Sequence, residues 1–234
     1  MNIAIIAALE NEISIIKDKL ADKQVQTISN INFHTGKISG HTITVAKCGM
    51  GKVSAALVSQ IAIDYFRPDL MINTGCAGAL QKNLQIGDIV MGKTLVEWDL
   101  DTTDIGDPKS WIQELNMVKL YSDRDLSNKL KECIHNSKKS FGKKVYDGLI
   151  ASGDRFVASQ EVTDYIFKYF PDALCAEMEG AAVAHVATQN NIPFCVIRTM
   201  SDTADGDSGV DYWDFSKVAS EQSAEILINL FKEL

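Results

Sequence analysis

The sequence has only four histidines, no Cys-x-x-Cys pair and no cluster of lysines or arginines. None of the histidines, at positions 34, 41, 135 and 185, has a partner at metal-ligand spacing, so no metal site is predicted. The five cysteines, at positions 48, 76, 133, 175 and 195, are an odd number in mostly apolar surroundings, which predicts buried thiols in a reducing compartment. A formal net charge of −8 argues against a nucleic-acid partner and favours a small neutral or cationic ligand.

The sequence also lacks a hydrophobic run long enough to cross a membrane. The apolar start, Ile3 to Leu9, is too short for a signal core or a span and runs directly into Glu10 and Glu12. We therefore expect a cytosolic protein with no membrane partner. No Gly-x-Ser-x-Gly motif is present either, which argues against a nucleophilic serine of the hydrolase type.

No stretch rich in Pro, Gly or Ser divides the 234 residues, and 46% of the side chains are hydrophobic. A chain of this length can bury a full core as one domain spanning residues 1–234. Uninterrupted apolar runs such as Phe194 to Ile197 are typical of strands covered on both faces, and they alternate with helical patterns. The predicted class is α/β.

Polar side chains cluster where predicted strands end. Glu177-Met178-Glu179-Gly180 lies between a strand-like segment (173–176) and a helix, and Arg198 to Asp202 follows the strand 194–197 directly. In open α/β sheets the carboxyl edge of the strands forms the ligand crevice. These two segments are therefore the predicted site.

Further candidate loops follow the other predicted strands. Glu10-Asn11-Glu12 follows strand 2–8, Thr74 to Gly78 follows strand 69–73, and Ser152 to Val157 follows strand 145–151. A hairpin is predicted from 31–37 and 42–48, followed by Gly49-Met50-Gly51-Lys52 and a helix to Phe66. This glycine turn lacks the spacing of a dinucleotide or Walker loop, and the prediction is a tight turn with Met50 against ligand or core.

Five short motifs occur in the order found in one enzyme family. They are Gly-Met-Gly-Lys at 49–52, Asn-Thr-Gly-Cys-Ala-Gly at 73–78, Ser-Gly-Asp-Arg-Phe at 152–156, Glu-Met-Glu-Gly at 177–180 and Arg-Thr-Met-Ser-Asp at 198–202. Together they resemble the 5′-methylthioadenosine/S-adenosylhomocysteine nucleosidases of the nucleoside phosphorylase superfamily. The resemblance implies a three-layer α/β/α fold with a central mixed twisted sheet, a homodimer and no cofactor.

The same resemblance implies a role for each candidate residue. Asp202 would protonate nitrogen 7 of the purine, and Glu12 would hold and deprotonate the attacking water. An unperturbed Asp, with a pKa near ~3.9, is protonated only about once in a thousand at neutral pH, so the donor must be shifted or share its proton. For the ribose, the resemblance implies Glu179 on the hydroxyls, Met178 under the sugar and Tyr212 over it. For the purine, it implies Phe156 and Val157, with Cys76, Ala77, Gly78 and Ala204 around the ligand. It also implies that Arg198 and Ser201 orient the acids and that Leu9 and Met50 lie in the pocket for the 5′ substituent.

Alternatives remain open from the residues themselves. Glu12 could serve only the amino terminus of a helix, Asp202 and Arg198 could form a buried ion pair, and Phe156 could be ordinary core. The segment 73–80 lacks an arginine that phosphorolysis would use, and Cys76 stands where relatives often have Ser. Competing functions are a purine nucleoside phosphorylase, a 6-amino-6-deoxyfutalosine nucleosidase and a non-catalytic storage protein. The irregular loop 99–122 receives no assignment.

Overall fold

Apolar strands alternate with helices along the whole chain. The computed structural model describes residues 1–137, 142–204 and 208–234, with the backbone alone for 208–214. In these ranges the strands are β1 (Asn2–Ala7), β2 (Ala21–Ile28), β3 (Ile31–Ile38), β4 (His41–Lys47), β5 (Leu70–Ala79), β6 (Ile89–Glu97), β7 (Leu120–Tyr121), β8 (Val145–Ser152), β9 (Ala173–Glu177) and β10 (Phe194–Asp202). The helices are α1 (Glu10–Lys19), α2 (Lys52–Phe66), α3 (Arg124–Asn136), α4 (Gln160–Tyr169), α5 (Gly180–Gln189) and α6 (Ser208–Glu233).

All the strands join one mixed sheet. Its order is β10-β6-β8-β9-β5-β1-β4-β3-β2, with β7 beside β6. Strand β1 is parallel to β4 and β5, whereas β9 is antiparallel to β5 and β6 is antiparallel to β10. Strand β10 also pairs with β5, so that β5, β9, β8, β6 and β10 close into a ring. The mixed sheet confirms the predicted fold class, and its closure is an additional feature.

Helices cover the sheet on both faces. On one face α1 and α3 pack against α6, and they share a core with Ile5 and Ile72. On the other face α2 packs against α5 over a second core that includes Ile6 and Met71. Neighbouring residues of β1 therefore point to opposite cores, as the two-residue period of a strand requires. No described helix combines the length and the apolar character needed to span a bilayer.

The register of the strands brings the predicted polar segments together. Asp202 at the end of β10 pairs with Gly78 of β5, and Gly78 also pairs with Ala176 of β9. Ser152 at the end of β8 pairs with Glu177, the last residue of β9. These strand ends therefore meet at one edge of the sheet, where a ligand crevice is expected.

Several predicted boundaries are wrong. Strand β10 continues through Arg198–Asp202, and β5 continues through Thr74–Gly78, so these polar segments are strand rather than loop. The apolar positions between Leu84 and Trp98 also predict a strand over 84–98, but β6 begins only at Ile89. Strand β2 was not predicted, because its residues are almost all exposed and carry no apolar alternation. The side chain of Tyr212 lies outside the described part of the structure, so its place over the ribose stays a prediction.

Candidate active site

One cavity of about 370 Å³ collects residues from all five predicted motifs. From the predicted site it is lined by Glu12, Met50, Cys76, Ala77, Gly78, Phe156, Val157, Met178, Glu179 and Asp202. Four further lining residues, Ala8, Arg155, Ala176 and Glu177, were given no role from the sequence. The elements that supply them are separated by long stretches of chain, so only the folded sheet assembles this set.

Glu12 bridges the start of α1 and the strand β5. Its Oε2 accepts a hydrogen bond from the backbone N–H of Leu9 at 2.8 Å, and its Oε1 accepts one from the N–H of Cys76 at 3.2 Å. The helix-terminus reading is therefore correct in part, since Glu12 does serve the end of α1 while facing the cavity. Burial raises the pKa of Glu12, although both backbone bonds and the charge of Arg198 oppose that rise.

Asp202 is buried at the end of β10 and lines the same cavity. Its Oδ2 accepts a hydrogen bond from the Ser201 hydroxyl at 2.8 Å, and its Oδ1 accepts one from the backbone N–H of Ala204 at 3.0 Å. A Cβ at Gly78 would lie 2.8 Å from Oδ1, so the absence of a side chain there lets β5 approach the carboxyl group. Asp202 is thus held at the end of β10 with its carboxyl group toward the cavity.

Arg198 does not form the ion pair with Asp202 that the sequence left open. Two nitrogens of its guanidinium, Nε and Nη2, donate to the same oxygen of Glu177, with Nε 3.0 Å from Oε2. A terminal nitrogen also donates to Asn73 Oδ1 at 2.5 Å and lies 3.8 Å from Glu179 Oε2. Although burial alone would lower the pKa of Arg198, the charges of Glu177 and Glu179 raise it, so the cation is fixed.

Glu177 is the residue that sequence reasoning missed most clearly. Besides Arg198, it accepts hydrogen bonds from the Ser152 hydroxyl and from the N–H of Gly180 at 2.7 Å, which begins α5. The signal was present in the sequence, since Glu177 belongs to the quoted Glu-Met-Glu-Gly motif. A pattern of two carboxylates at a strand end does not say which one caps the helix and which one faces ligand.

Glu179 faces the cavity from the start of α5. Its Oε1 accepts a hydrogen bond from the backbone N–H of Gly51 at 3.0 Å. Burial, and then the charge of neighbouring Glu177, raises the pKa of Glu179 to about 7. Near neutral pH this group therefore exchanges readily between an acceptor-only carboxylate and a neutral acid.

The apolar residues that line the cavity differ in their exposure to solvent. Phe156 is 46% exposed and Met50 is 61% exposed, whereas Ala77 and Val157 are buried. Phe156 is therefore not an ordinary core residue. An exposed aromatic ring beside buried small side chains suits a flat ligand that stacks on it.

Four residues predicted to bind substrate do not line the cavity. The side chains of Leu9, Arg198, Ser201 and Ala204 are not among those that line the cavity. Each instead supplies a contact to a lining carboxyl group, as the N–H of Leu9 does for Glu12. The predicted ligand contacts of Leu9 and Ala204 stay predictions, and the bond from Ser201 to Asp202 is of the orienting kind that the resemblance implies.

The chemistry of the cavity is acidic. Among the described residues that line it, four are acidic (Glu12, Glu177, Glu179 and Asp202) and Arg155 is the single basic one. Within the described ranges, no group of three or more His, Cys, Asp or Glu side chains is arranged to hold a metal ion. Burial raises the pKa of the Cys76 thiol, which keeps it in the neutral, weakly hydrogen-bonding form.

Comparison with known proteins agrees with this geometry. The model of the phosphorylase superfamily matches residues 2–232. A 5′-methylthioadenosine/S-adenosylhomocysteine nucleosidase of Geobacillus sp. (strain WCH70) is 36% identical over 234 residues, which covers all of this chain and 99% of the relative.

Two solved structures extend the comparison. A nucleosidase of the same description from Colwellia psychrerythraea 34H, in complex with adenine, has a TM-score of 0.95 at 33% identity and covers 100% of this chain and 96% of its own. Futalosine hydrolase of Helicobacter pylori strain 26695 has a TM-score of 0.93 at 30% identity and covers 100% of this chain and 98% of its own. The chain belongs to the 5′-methylthioadenosine/S-adenosylhomocysteine nucleosidase family of the phosphorylase superfamily.

Proposed function

We propose that this protein hydrolyses the N-ribosidic bond of 5′-methylthioadenosine and S-adenosylhomocysteine, releasing adenine and the corresponding thioribose. The observation that carries the proposal is that Glu12 and Asp202, held by separate sets of hydrogen bonds, line one cavity. Hydrolysis of a glycosidic bond requires an acid for the leaving group and a base for water, and two carboxyl groups across a substrate supply both.

Asp202 is the proposed general acid. It donates its proton to nitrogen 7 of adenine as the bond between C1′ and nitrogen 9 breaks, so the base departs without a negative charge. The hydroxyl of Ser201 and the N–H of Ala204 then stabilise the aspartate that remains. General acid catalysis of this kind contributes roughly 10²–10⁴ in rate.

Glu12 is the proposed general base. Burial raises its pKa, which makes it a better proton acceptor than an exposed glutamate. It takes a proton from water as the water oxygen bonds to C1′, and the backbone N–H groups of Leu9 and Cys76 fix the direction of its carboxylate. Glu12 then releases its proton to solvent, and Asp202 takes up a proton from solvent, which restores both groups.

Glu179 and Met178 are the proposed contacts to the ribose. Glu179 accepts hydrogen bonds from the ribose hydroxyls, and Met178 supplies an apolar surface that makes no competing hydrogen bond. Phe156 stacks on the purine, while Val157 presents backbone to its edge. The small residues Cys76, Ala77 and Gly78 close the pocket, and Met50 at its exposed side contacts the 5′ substituent.

Water rather than phosphate is the proposed nucleophile. A phosphate site requires cations with free hydrogen-bond donors, but Arg198 is already bonded to Glu177 and Asn73. Arg155 is the single basic residue among the described lining residues, and it is exposed, where a bound anion would stay hydrated. Four carboxyl groups around the same cavity also oppose the binding of a dianion.

A second candidate activity is hydrolysis of 6-amino-6-deoxyfutalosine. It is favoured by the similarity to futalosine hydrolase, at 30% identity and a TM-score of 0.93. The same acid and base serve both reactions, since each breaks a bond between ribose and a purine. The two substrates differ at the 5′ position, so relative kcat/KM for the two compounds separates these activities.

The proposed biological setting is the cytosol, in methionine salvage, with the protein acting as a homodimer. The dimer is supported by Val53 and Leu57, four residues apart on α2, which are 79% and 52% exposed. Apolar side chains on one helical face suit burial against a second chain. Sedimentation of the protein as a two-chain species that Leu57→Glu dissociates is the expected result, and a wild-type monomer would exclude the dimer.

The deciding experiment is a time course of adenine release from both thioether nucleosides, with and without inorganic phosphate. We expect release at equal rates in both buffers, and loss of about 10²-fold or more in kcat for Asp202→Asn and for Glu12→Gln. Circular dichroism should show both variants folded. A strict requirement for phosphate would indicate a phosphorylase, and absence of any adenine release would indicate a binding or storage protein.

A further inference from the structure

A closed ring of hydrogen bonds lies outside the cavity and joins two of its walls. Lys52 Nζ donates to Asp99 Oδ1 at 2.6 Å, and Asp99 Oδ2 accepts from the backbone N–H of Asp154 at 2.7 Å. Asp154 Oδ1 in turn accepts from the backbone N–H of Lys52 at 2.7 Å, which returns the ring to its first residue. None of these three residues is among those that line the cavity.

The ring is anchored to the core by further charges. The Lys52 side chain is only 15% exposed, and its Nζ also lies 3.1 Å from Glu97 Oε2. Glu97 Oε1 contacts His185 Nδ1 at 2.8 Å, which ties the ring to α5. Although burial disfavours the Lys52 cation, Asp99 and Glu97 raise the pKa of Lys52, so its ammonium group stays charged.

The first wall that the ring holds is the glycine turn before α2. Gly51 has a φ of 97°, and a Cβ there would lie 2.9 Å from Asp154 Oδ1. The N–H of Gly51 donates to Glu179 Oε1, the carboxylate proposed to bind ribose. Gly51 is directly followed by Lys52, whose N–H makes the closing bond of the ring, so the position of the Gly51 donor depends on that closure.

The second wall is the segment that carries the stacking aromatic ring. Arg155, Phe156 and Val157 all line the cavity and follow Asp154 directly in the chain. Both the N–H and the carboxylate of Asp154 are members of the ring. The backbone immediately before Phe156 is therefore fixed relative to the turn that supports Glu179.

We propose that Lys52 is a positioning residue for nucleoside binding, an inference that rests on the proposed function of the cavity. Lys52 sets the distance between the ribose acceptor Glu179 and the segment of Phe156. Glu12 and Asp202 take their hydrogen bonds from other residues, so proton transfer is left largely intact when the ring opens. The signature of this role is a change in KM that exceeds the change in kcat.

The first test is Lys52→Met, which keeps the length of the side chain and removes its charge. We expect KM for 5′-methylthioadenosine to rise about tenfold, since the change opens charge-assisted hydrogen bonds, with kcat within about threefold of wild type. Lys119→Met, which removes a surface ion pair with Asp172, is the matched control and should change neither constant. A KM for Lys52→Met within twofold of wild type, or a loss confined to kcat, would overturn the proposal.

A second pair of variants covers a failure of Lys52→Met to fold. Asp154→Ala removes the acceptor for the Lys52 N–H, whereas Asp154→Asn retains an acceptor oxygen at the same place. We expect about tenfold weaker binding of 5′-methylthioadenosine for Asp154→Ala and recovery to within threefold for Asp154→Asn. Kd is measured by calorimetry on the full chain with Asp202→Asn added to every variant, so that the nucleoside is not consumed during the titration. Equal Kd values for the two variants would overturn the role of the ring even if the wild-type protein released no adenine, an outcome that would count against the proposed function alone.

Discussion

Replacing Glu179 by Gln is expected to stabilise the unliganded protein at alkaline pH while weakening nucleoside binding. Glu179 is only 7% exposed, and its Oε1 accepts a hydrogen bond from the N–H of Gly51. Burial and the charge of Glu177 raise its pKa from 4.5 to about 7. Glutamine keeps the acceptor oxygen and the volume of the side chain but cannot ionise.

The magnitude follows from proton linkage. Between the unfolded pKa of 4.5 and the folded pKa of about 7, the folded protein binds more protons at Glu179 than the unfolded chain does. Stability is therefore lost as pH rises through this window, by about 1.4 kcal/mol for each pH unit. Above the window the ionised carboxylate costs about 3 kcal/mol, and near pH 5 about 1 kcal/mol.

The assay is unfolding of wild type and Glu179→Gln in urea at fixed protein concentration, at about pH 5 and about pH 8. We expect the variant to be more stable by about 3 kcal/mol at the higher pH, or roughly 6–12 °C in Tm, and by much less at the lower pH. Glu114→Gln, at an exposed glutamate, is the matched control and should show no such dependence.

An equal gain at both pH values, within about 0.5 kcal/mol, would refute the reasoning, because a packing effect does not depend on pH. The same variant should bind ribosyl ligands more weakly and free adenine unchanged. Stability and binding then move in opposite directions, as is common where a binding site holds a buried charge.

Three other substitutions probe the carboxyl groups and the wall of the cavity. Glu177→Gln leaves the buried Arg198 without its ionised partner and should cost about 3 kcal/mol or more in urea unfolding; a loss below about 1 kcal/mol would mean that the pair is not needed. Gly75→Ala places a Cβ 2.7 Å from Glu12 Oε1 and should lower kcat about 10²-fold, whereas an unchanged kcat would exclude Glu12 as the base. Cys76→Ser replaces a weak donor by a stronger one and should lower KM a few-fold, and a raised KM would show that the pocket is built for the thiol.

Much of the site was predictable because its residues cluster in short segments at strand ends. Phe194–Ile197 and Ala173–Ala176 read as strands from their apolar runs, and the carboxyl groups that follow them do line the cavity. The helix beginning at Lys52 was also predicted with its correct end at Phe66. Local patterns of this kind depend on neighbours in sequence, which a single chain displays directly.

The boundaries and partnerships were less predictable. Strand β10 carries Arg198 and Asp202 within its ladder, because pairing with both β5 and β6 continues past the apolar run. The exposed strand β2 pairs with β3 without an apolar face of its own, so no period marks it. Backbone pairing with a distant strand overrides local polarity in both cases.

The sequence by itself determined the family, the α/β class and which acidic side chains lie at strand ends, since these follow from short motifs and apolar periodicity. Only the tertiary structure decided that Arg198 pairs with Glu177 rather than Asp202, and that Lys52, Asp99 and Asp154 close a ring behind the cavity. The physical reason is that a buried charge takes the partner that best satisfies its hydrogen bonds. That partner is set by the register between strands distant in the chain, which local sequence does not encode.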